Sequence, residues 1–126
     1  YFSGGLYGIN NGELEWANPP MLPGVEYRTT ERYKGKPIYK KLINFGEFPH
    51  SSSKDVNTGI NSNKYSIIGA HRHAKEIGAN ADILTLSLRS VTHEYTHVSN
   101  GYYWINITTN GTLAVTAEYL IEYVEV

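Results

Sequence analysis

The sequence predicts an all-β domain, an antiparallel sandwich or jelly-roll-like fold. Three observations predict it. Eleven tyrosines and two tryptophans accompany many Val, Ile and Thr residues, types that fit a pleated, half-buried surface. Twelve glycines, several beside asparagines, supply the positive-φ positions that tight turns require. Apolar–polar alternation of period two recurs along short segments with turn signals between them. Each tyrosine keeps two readings, core packing or an exposed platform, because aromatic side chains serve both.

At 126 residues the chain fits one domain and can bury about two-thirds of its unfolded surface without staples. Residues 1–15 read as a lead-in segment with a hairpin turning at Asn11-Gly12, and 16–126 as the sandwich. Asn18, Pro19, Pro20 and Pro23-Gly24 mark an extended surface passage, since proline cannot donate to a central ladder. Val25, Tyr27, Thr29 and Glu31 then alternate with Glu26, Arg28 and Thr30. Lys34-Gly35 turns that strand into a partner beginning at Pro37, a tolerable position for a missing N–H. Residues 49–63 are almost all turn formers and read as a loop.

Tyr65 to His73 reads as a strand centred on Ile67 and Ile68. Gly78 to Asp82 turns the chain into a strand in which Leu84, Leu86 and Leu88 alternate with Thr85, Ser87 and Arg89. Val91 to Val98 continues as β to the turn at Asn100-Gly101; Tyr102 to Thr108 is the next strand, and Asn110-Gly111 reverses it. The last segment fits two periods. Leu113, Val115, Ala117, Tyr119, Ile121 and Tyr123 alternate as a strand, whereas Leu113, Ala117, Leu120, Ile121 and Val124 satisfy a helix. The preceding Asn-Gly turn and the Tyr, Val, Ile and Thr content favour the strand.

Composition narrows function. With no cysteine, disulfides and thiolate metal sites are excluded. A net charge of −1 leaves no basic footprint for nucleic acid. No apolar run approaches the roughly 20 residues of a membrane-spanning helix, so membrane insertion is not expected, and nothing at the start reads as a secretion signal. The first residue is tyrosine rather than methionine, so the chain is expected to be the C-terminal part of a longer protein.

His93-Glu94-Tyr95-Thr96-His97 matches the H-E-x-x-H pattern of zinc peptidases. That chemistry needs a helix, where imidazoles four residues apart lie about 5–6 Å apart on one face and the glutamate acts on metal-bound water. On a strand the same pair is separated by about 13 Å. Leu88, Val91, Tyr95 and Val98 fall at helical spacing, but Thr92, Tyr95, Thr96 and Val98 prefer strands and no third histidine follows. Glycoside cleavage needs two carboxyls about 5–10 Å apart in a cleft. Glu26, Glu31, Asp55, Asp82, Glu94 and Glu118 offer carboxylates but no motif that pairs them. No enzyme activity and no cofactor is expected.

Residues 16–49 carry the most specific pattern. Asn18-Pro19-Pro20-Met21 opens it, Glu26-Tyr27-Arg28-Thr29-Thr30-Glu31-Arg32-Tyr33 follows, and Gly35-Lys36-Pro37 with Tyr39 completes an aromatic hairpin. This block resembles a segment near the C-terminus of tail-fibre, baseplate and minor structural proteins of phages and prophages of Gram-positive bacteria. The ending from Tyr119 to Val126 looks like the family's last strand; the middle of the chain hardly resembles it. The resemblance implies a non-catalytic head domain on the virion tail tip, made in the host cytoplasm. It implies attachment to a host cell-wall saccharide or teichoic-acid-like polymer, and a homotrimer. A structural trimerisation or assembly domain is the alternative.

In trimeric fibres a His-x-His resembling His71-Arg72-His73 can meet its symmetry copies and hold an octahedral transition metal. The plain reading is two histidines near a strand end. A saccharide site would need an aromatic platform flanked by planar polar groups. Three patches offer one: Tyr102, Tyr103 and Trp104 after the Asn100-Gly101 turn; Trp16 with Asn18; and His50 with Lys54, Asp55, Asn57 and Asn61. Tyr102, Tyr103 and Asp55 are the expected carbohydrate-binding residues.

Overall fold

The computed structural model describes residues 7–10, 13–48, 53–77, 91–109 and 114–126. Nine strands and no helix occur among them: β1 (Tyr7–Asn10), β2 (Glu13–Trp16), β3 (Glu26–Tyr33), β4 (Lys36–Phe48), β5 (Ser53–Asn61), β6 (Tyr65–Ile77), β7 (Val91–Ser99), β8 (Tyr102–Thr109) and β9 (Ala114–Glu125). A six-stranded sheet runs β1-β2-β3-β4-β9-β6 and a three-stranded sheet runs β5-β8-β7. The fold is all-β, as the composition predicts. β1–β2, β3–β4, β5–β8 and β7–β8 pair antiparallel, while β2 meets β3 in parallel at Trp16 and Thr29. The expected strand at 84–89 and the turns at 11–12, 78–82 and 110–111 lie outside the described residues.

The chain divides into two compact units. The first comprises Tyr1–Ile43, Lys64–His71 and Leu120–Val126; the second comprises Asn44–Asn63 and Arg72–Tyr119.

In the first unit the lead-in segment forms the β1–β2 hairpin, with Asn10 opposite Glu13. The proline passage then crosses to β3. It is tied to β4 by a bridge between Pro23 and Leu42 and by the Gly24 N–H donating to the Leu42 carbonyl at 2.8 Å. Lys34 and Gly35 both adopt positive φ, 50° and 82°, in the β3–β4 turn, the geometry that a tight two-residue hairpin demands. Three tyrosines meet within the core, beside buried Tyr27, Ile43, Ile121 and Val124. Tyr39 stacks on Tyr123 with centroids 5.6 Å apart, and Tyr65 meets both edge-on at 5.3 and 5.0 Å. Two of their hydroxyls offset the cost of burial by donating to carboxylates, Tyr123 to Glu26 at 2.5 Å and Tyr39 to Glu125 at 3.0 Å. Glu15, almost wholly buried, accepts from Arg28 at 3.0 Å and from Arg32 through both its oxygens.

In the second unit the two sheets face one another as a sandwich. Phe45 on β4 packs on Tyr119 of β9, centroids 5.3 Å apart. From the opposing sheet the Lys54 ammonium donates to the Phe45 carbonyl, and Glu94 accepts from both Tyr119 and Arg72. Ile60, Ile105, Ile107 and Ala117 are buried in this unit.

Each unit repeats one device at a register shift. β3 bulges between Arg28 and Arg32, where buried Thr29 donates its hydroxyl to the Ile38 carbonyl at 2.6 Å. β5 bulges between Asn57 and Asn61, where buried Thr58 donates to the Tyr103 carbonyl at 2.8 Å. A bulge leaves one ladder partner unmet, and the threonine hydroxyl supplies it.

The expected loop over 49–63 is corrected here. Ser53–Asn61 is a strand paired with β8, and 49–52 lie outside the described residues. The turn formers serve the bulge instead: Asn57 Oδ1 accepts the Gly59 N–H at 2.9 Å while Gly59 adopts φ 73°. Burial of Ile60 and pairing along β8 outweigh the weak local β-propensity. The ambiguous C-terminal segment is strand β9, not helix.

Two outcomes follow from these cores. Ile107→Ala should lower the unfolding free energy by about 2–4 kcal/mol, whereas Leu22→Ala, at an exposed site, should cost less than about 0.5 kcal/mol; denaturant melts measure both. Burial followed by a carboxylate bond raises the Tyr39 phenol to about 12, and the same causes raise those of Tyr119 and Tyr123 further. Above the ordinary phenol value the folded chain then holds more protons than the unfolded one, so stability falls with rising pH. Melting temperature should hold steady up to a pH of about 10 and drop progressively beyond it, with late phenolate absorbance. Three phenols ionising together at the ordinary value in the folded protein would contradict this.

Candidate functional site

Side chains on a strand alternate between two faces, and in β8 the alternation is sharp. Ile105 and Ile107 are 2% and 0% exposed on the inner face. Trp104, Asn106 and Thr108 therefore lie on the outer face with Tyr102. Neighbouring strands add to that face through the register. Asp55 of β5 and Tyr95 of β7 flank Asn106; Asn57 and His97 flank Trp104. Tyr102 follows, opposite Ser99 and Asn61.

These side chains form one connected surface. The His97 ring lies near-parallel to Trp104, 23° between planes and 6.3 Å between centroids, and the Tyr95 ring lies 5.6 Å from it at a 45° tilt. An ionised carboxylate can only accept, so His97 Nε2–H donates to Asp55, at 2.8 and 3.0 Å from its two oxygens. The Trp104 indole N–H donates to the Ser99 carbonyl at 3.1 Å, which fixes the ring. Thr108 Oγ1 bonds both Ser53 Oγ and Asn106 Oδ1. Tyr95 and Tyr102 are 45% and 39% exposed. The surface presents apolar ring area bordered by a carboxylate, two amides and hydroxyls.

Two of the three expected binding residues, Asp55 and Tyr102, stand on this face, and Asp55 does so from a strand rather than a loop. Tyr103 does not: alternation turns it to the inner side beside Ile105, and its carbonyl takes the Thr58 hydroxyl. Lys54 is likewise turned inward to Phe45. His50 lies outside the described residues, and Trp16 belongs to the other unit, edge-on to Tyr27 at 5.4 Å. Tyr95 and Asn106 were not among the expected site residues. Their signal was the period-two interleaving of Trp104, Asn106 and Thr108 with Ile105 and Ile107, and of Tyr95 and His97 within the H-E-x-x-H string.

That string is continuous strand. His93 to His97 pair residue by residue with Thr108 to Trp104, so the two histidine backbones are separated by about 13 Å. Glu94 and His97 point to opposite faces, one to Arg72 and Tyr119 and the other to Asp55. On β6, His71 Nε2 stands 3.1 Å from Glu122 within the first unit. Within the second unit His73 Nδ1 stands 3.1 Å from Glu118. Both imidazoles are largely exposed. Among the described residues no group of three or more His, Asp or Glu is arranged to hold a metal ion.

A calorimetric zinc titration should give the same isotherm for the wild type and for His93→Ala/His97→Ala. A stoichiometric site lost in that double variant would contradict the extended geometry.

No protein-family model and no curated protein sequence matches this chain. The chain is similar to a solved structure of the P. aeruginosa R1 pyocin fibre comprising C-terminal residues 323–701, with 18% sequence identity and a TM-score of 0.42. The similarity covers 78% of this chain and 25% of that one.

Proposed function

We propose that this chain is a non-catalytic attachment domain of a phage or prophage tail fibre, holding a cell-wall saccharide on the outer face of the β5-β8-β7 sheet. The observation that carries the reading is the register that assembles Tyr95, His97, Trp104, Asp55, Asn57 and Asn106 on one exposed face. Sugars offer apolar C–H faces and hydroxyl rims. Fixed aromatic rings accept the former, and carboxylate and amide groups pair with the latter. The resemblance of residues 16–49 to tail-fibre segments from phages of Gram-positive bacteria supports the virion context and the wall polymer as ligand. That block is itself architectural, since its prolines tie β4 and its tyrosines build a core. Among the described residues the face brings no second acid to Asp55 to protonate a leaving group, which argues against hydrolysis.

One observation favours a structural assembly role instead. Among the described residues β7 ends the three-stranded sheet, and Val98 on it is 57% exposed, an arrangement suited to lateral docking of a further strand. Light scattering addresses this: a trimer that Val98→Lys dissociates would support assembly.

Binding of the labelled domain to a panel of Gram-positive cells and purified wall polymers tests attachment. Trp104→Ala and Asp55→Asn should each weaken binding by about tenfold or more with the melting temperature of Asp55→Asn nearly unchanged, and no reducing ends should be released. A folded Asp55→Asn/Trp104→Phe variant that binds cells like the wild type would overturn the reading.

A further inference from the structure

The first unit holds an open pocket of about 380 Å³, within the roughly 300–1,000 Å³ span of small-molecule sites. Trp16, Tyr39 and Tyr65 supply aromatic walls, and Glu26 and Glu125 supply carboxylates. Both carboxylates are pinned by phenols, Glu26 by Tyr123 and Glu125 by Tyr39. A carboxylate has about four lone-pair sites, so each keeps acceptor capacity while its direction is fixed. Arg28 on the same wall donates to Glu15.

The pocket already draws a cation to its rim. Lys64, in the exposed turn before β6, holds its ammonium 5.2 Å over the Tyr65 ring. A hydrogen bond to the Tyr65 hydroxyl raises its pKa most, and the Glu125 and Glu26 carboxylates add to the effect. An ammonium over a tyrosine face beside two fixed carboxylates is the arrangement that recognises organic cations. A tethered, solvated lysine is a weak occupant of such a place. Trp16, only partly buried, leaves ring area for the C–H face of whatever carries the incoming cation.

We propose that this pocket is a second ligand site, selective for a primary ammonium borne on a saccharide ring, with Lys64 as the displaceable internal counter-ion. The site shares no residue with the outer face of the β5-β8-β7 sheet and does not depend on the function proposed for it. Its carboxylates bind the ammonium, Tyr65 faces it, and Trp16 takes the sugar ring. No bond is made or broken.

The test is an NMR titration of the intact chain, following the Trp16 indole resonance, with glucosamine, N-acetylglucosamine, glucose and ethylamine. Glucosamine should bind about tenfold more tightly than each of the other three. Glu125→Gln, which keeps an acceptor for Tyr39, should weaken glucosamine binding about fivefold, and Lys64→Ala should strengthen it about twofold. Glucose or N-acetylglucosamine binding as well as glucosamine would overturn the ammonium assignment, and ethylamine binding as well would overturn the sugar. Absence of any saturable shift, or weaker binding in Lys64→Ala, would also overturn the proposal. Trp104→Ala should leave this titration unchanged, so failure at one site is distinguishable from failure at the other.

Discussion

Side chains on a strand have only two directions, and the central strand of the three-stranded sheet has spent one of them. Ile105 and Ile107 are essentially without solvent contact, each burial contributing about 1.5–3 kcal/mol. A slip of one residue would turn both outward and bring Trp104 and Asn106 into the core. The cost of that slip fixes the outward set on β8, and the ladders to β5 and β7 carry it sideways to Asp55, Asn57, Tyr95 and His97. The polar-aromatic face is therefore a consequence of the core beneath it. Its rings are held in place by the same strands that bury the isoleucines.

The tyrosine-rich composition follows from a related constraint. A phenol brings large apolar area into a core but carries a hydroxyl that must be satisfied. Tyr39, Tyr119 and Tyr123 each donate to a carboxylate, Glu125, Glu94 and Glu26 respectively. The acidic residues that alternate with tyrosines along the sequence are thus partners of the core as well as surface charges. The same pairing orients carboxylates toward the pocket of the first unit, where Glu26 and Glu125 keep acceptor capacity.

Much of the fold was legible in the sequence. Lys34-Gly35 and Asn100-Gly101 sit at turns with positive φ at both positions, and Pro37 stands at the second residue of β4. The C-terminal alternation beat its helical competitor because Ala117, Tyr119, Ile121 and Tyr123 are all buried on one side. The stretch read as a loop failed for a definite reason. Asn57, Thr58 and Gly59 signal local chain reversal, but here they build a bulge whose strand continues because β8 pairs with it. The site was half legible: Asp55 and Tyr102 share the face, whereas choosing both Tyr102 and Tyr103 ignored the alternation that must separate them. Tyr95 joins the face only through pairing between β7 and β8, which no local pattern specifies.

Strand register defines the proposed saccharide face of the second unit. Chemical-shift mapping of the isotopically labelled chain with fragments of a wall polymer to which it binds tests this most directly. The largest shifts should fall on Asp55, Asn57, Tyr95, His97, Trp104 and Asn106, while Tyr103, Ile105 and Ile107 should respond weakly. Shifts centred on the inner-face residues, or spread along the edge of β7 around Val98 with Trp104 and Asp55 unmoved, would contradict it.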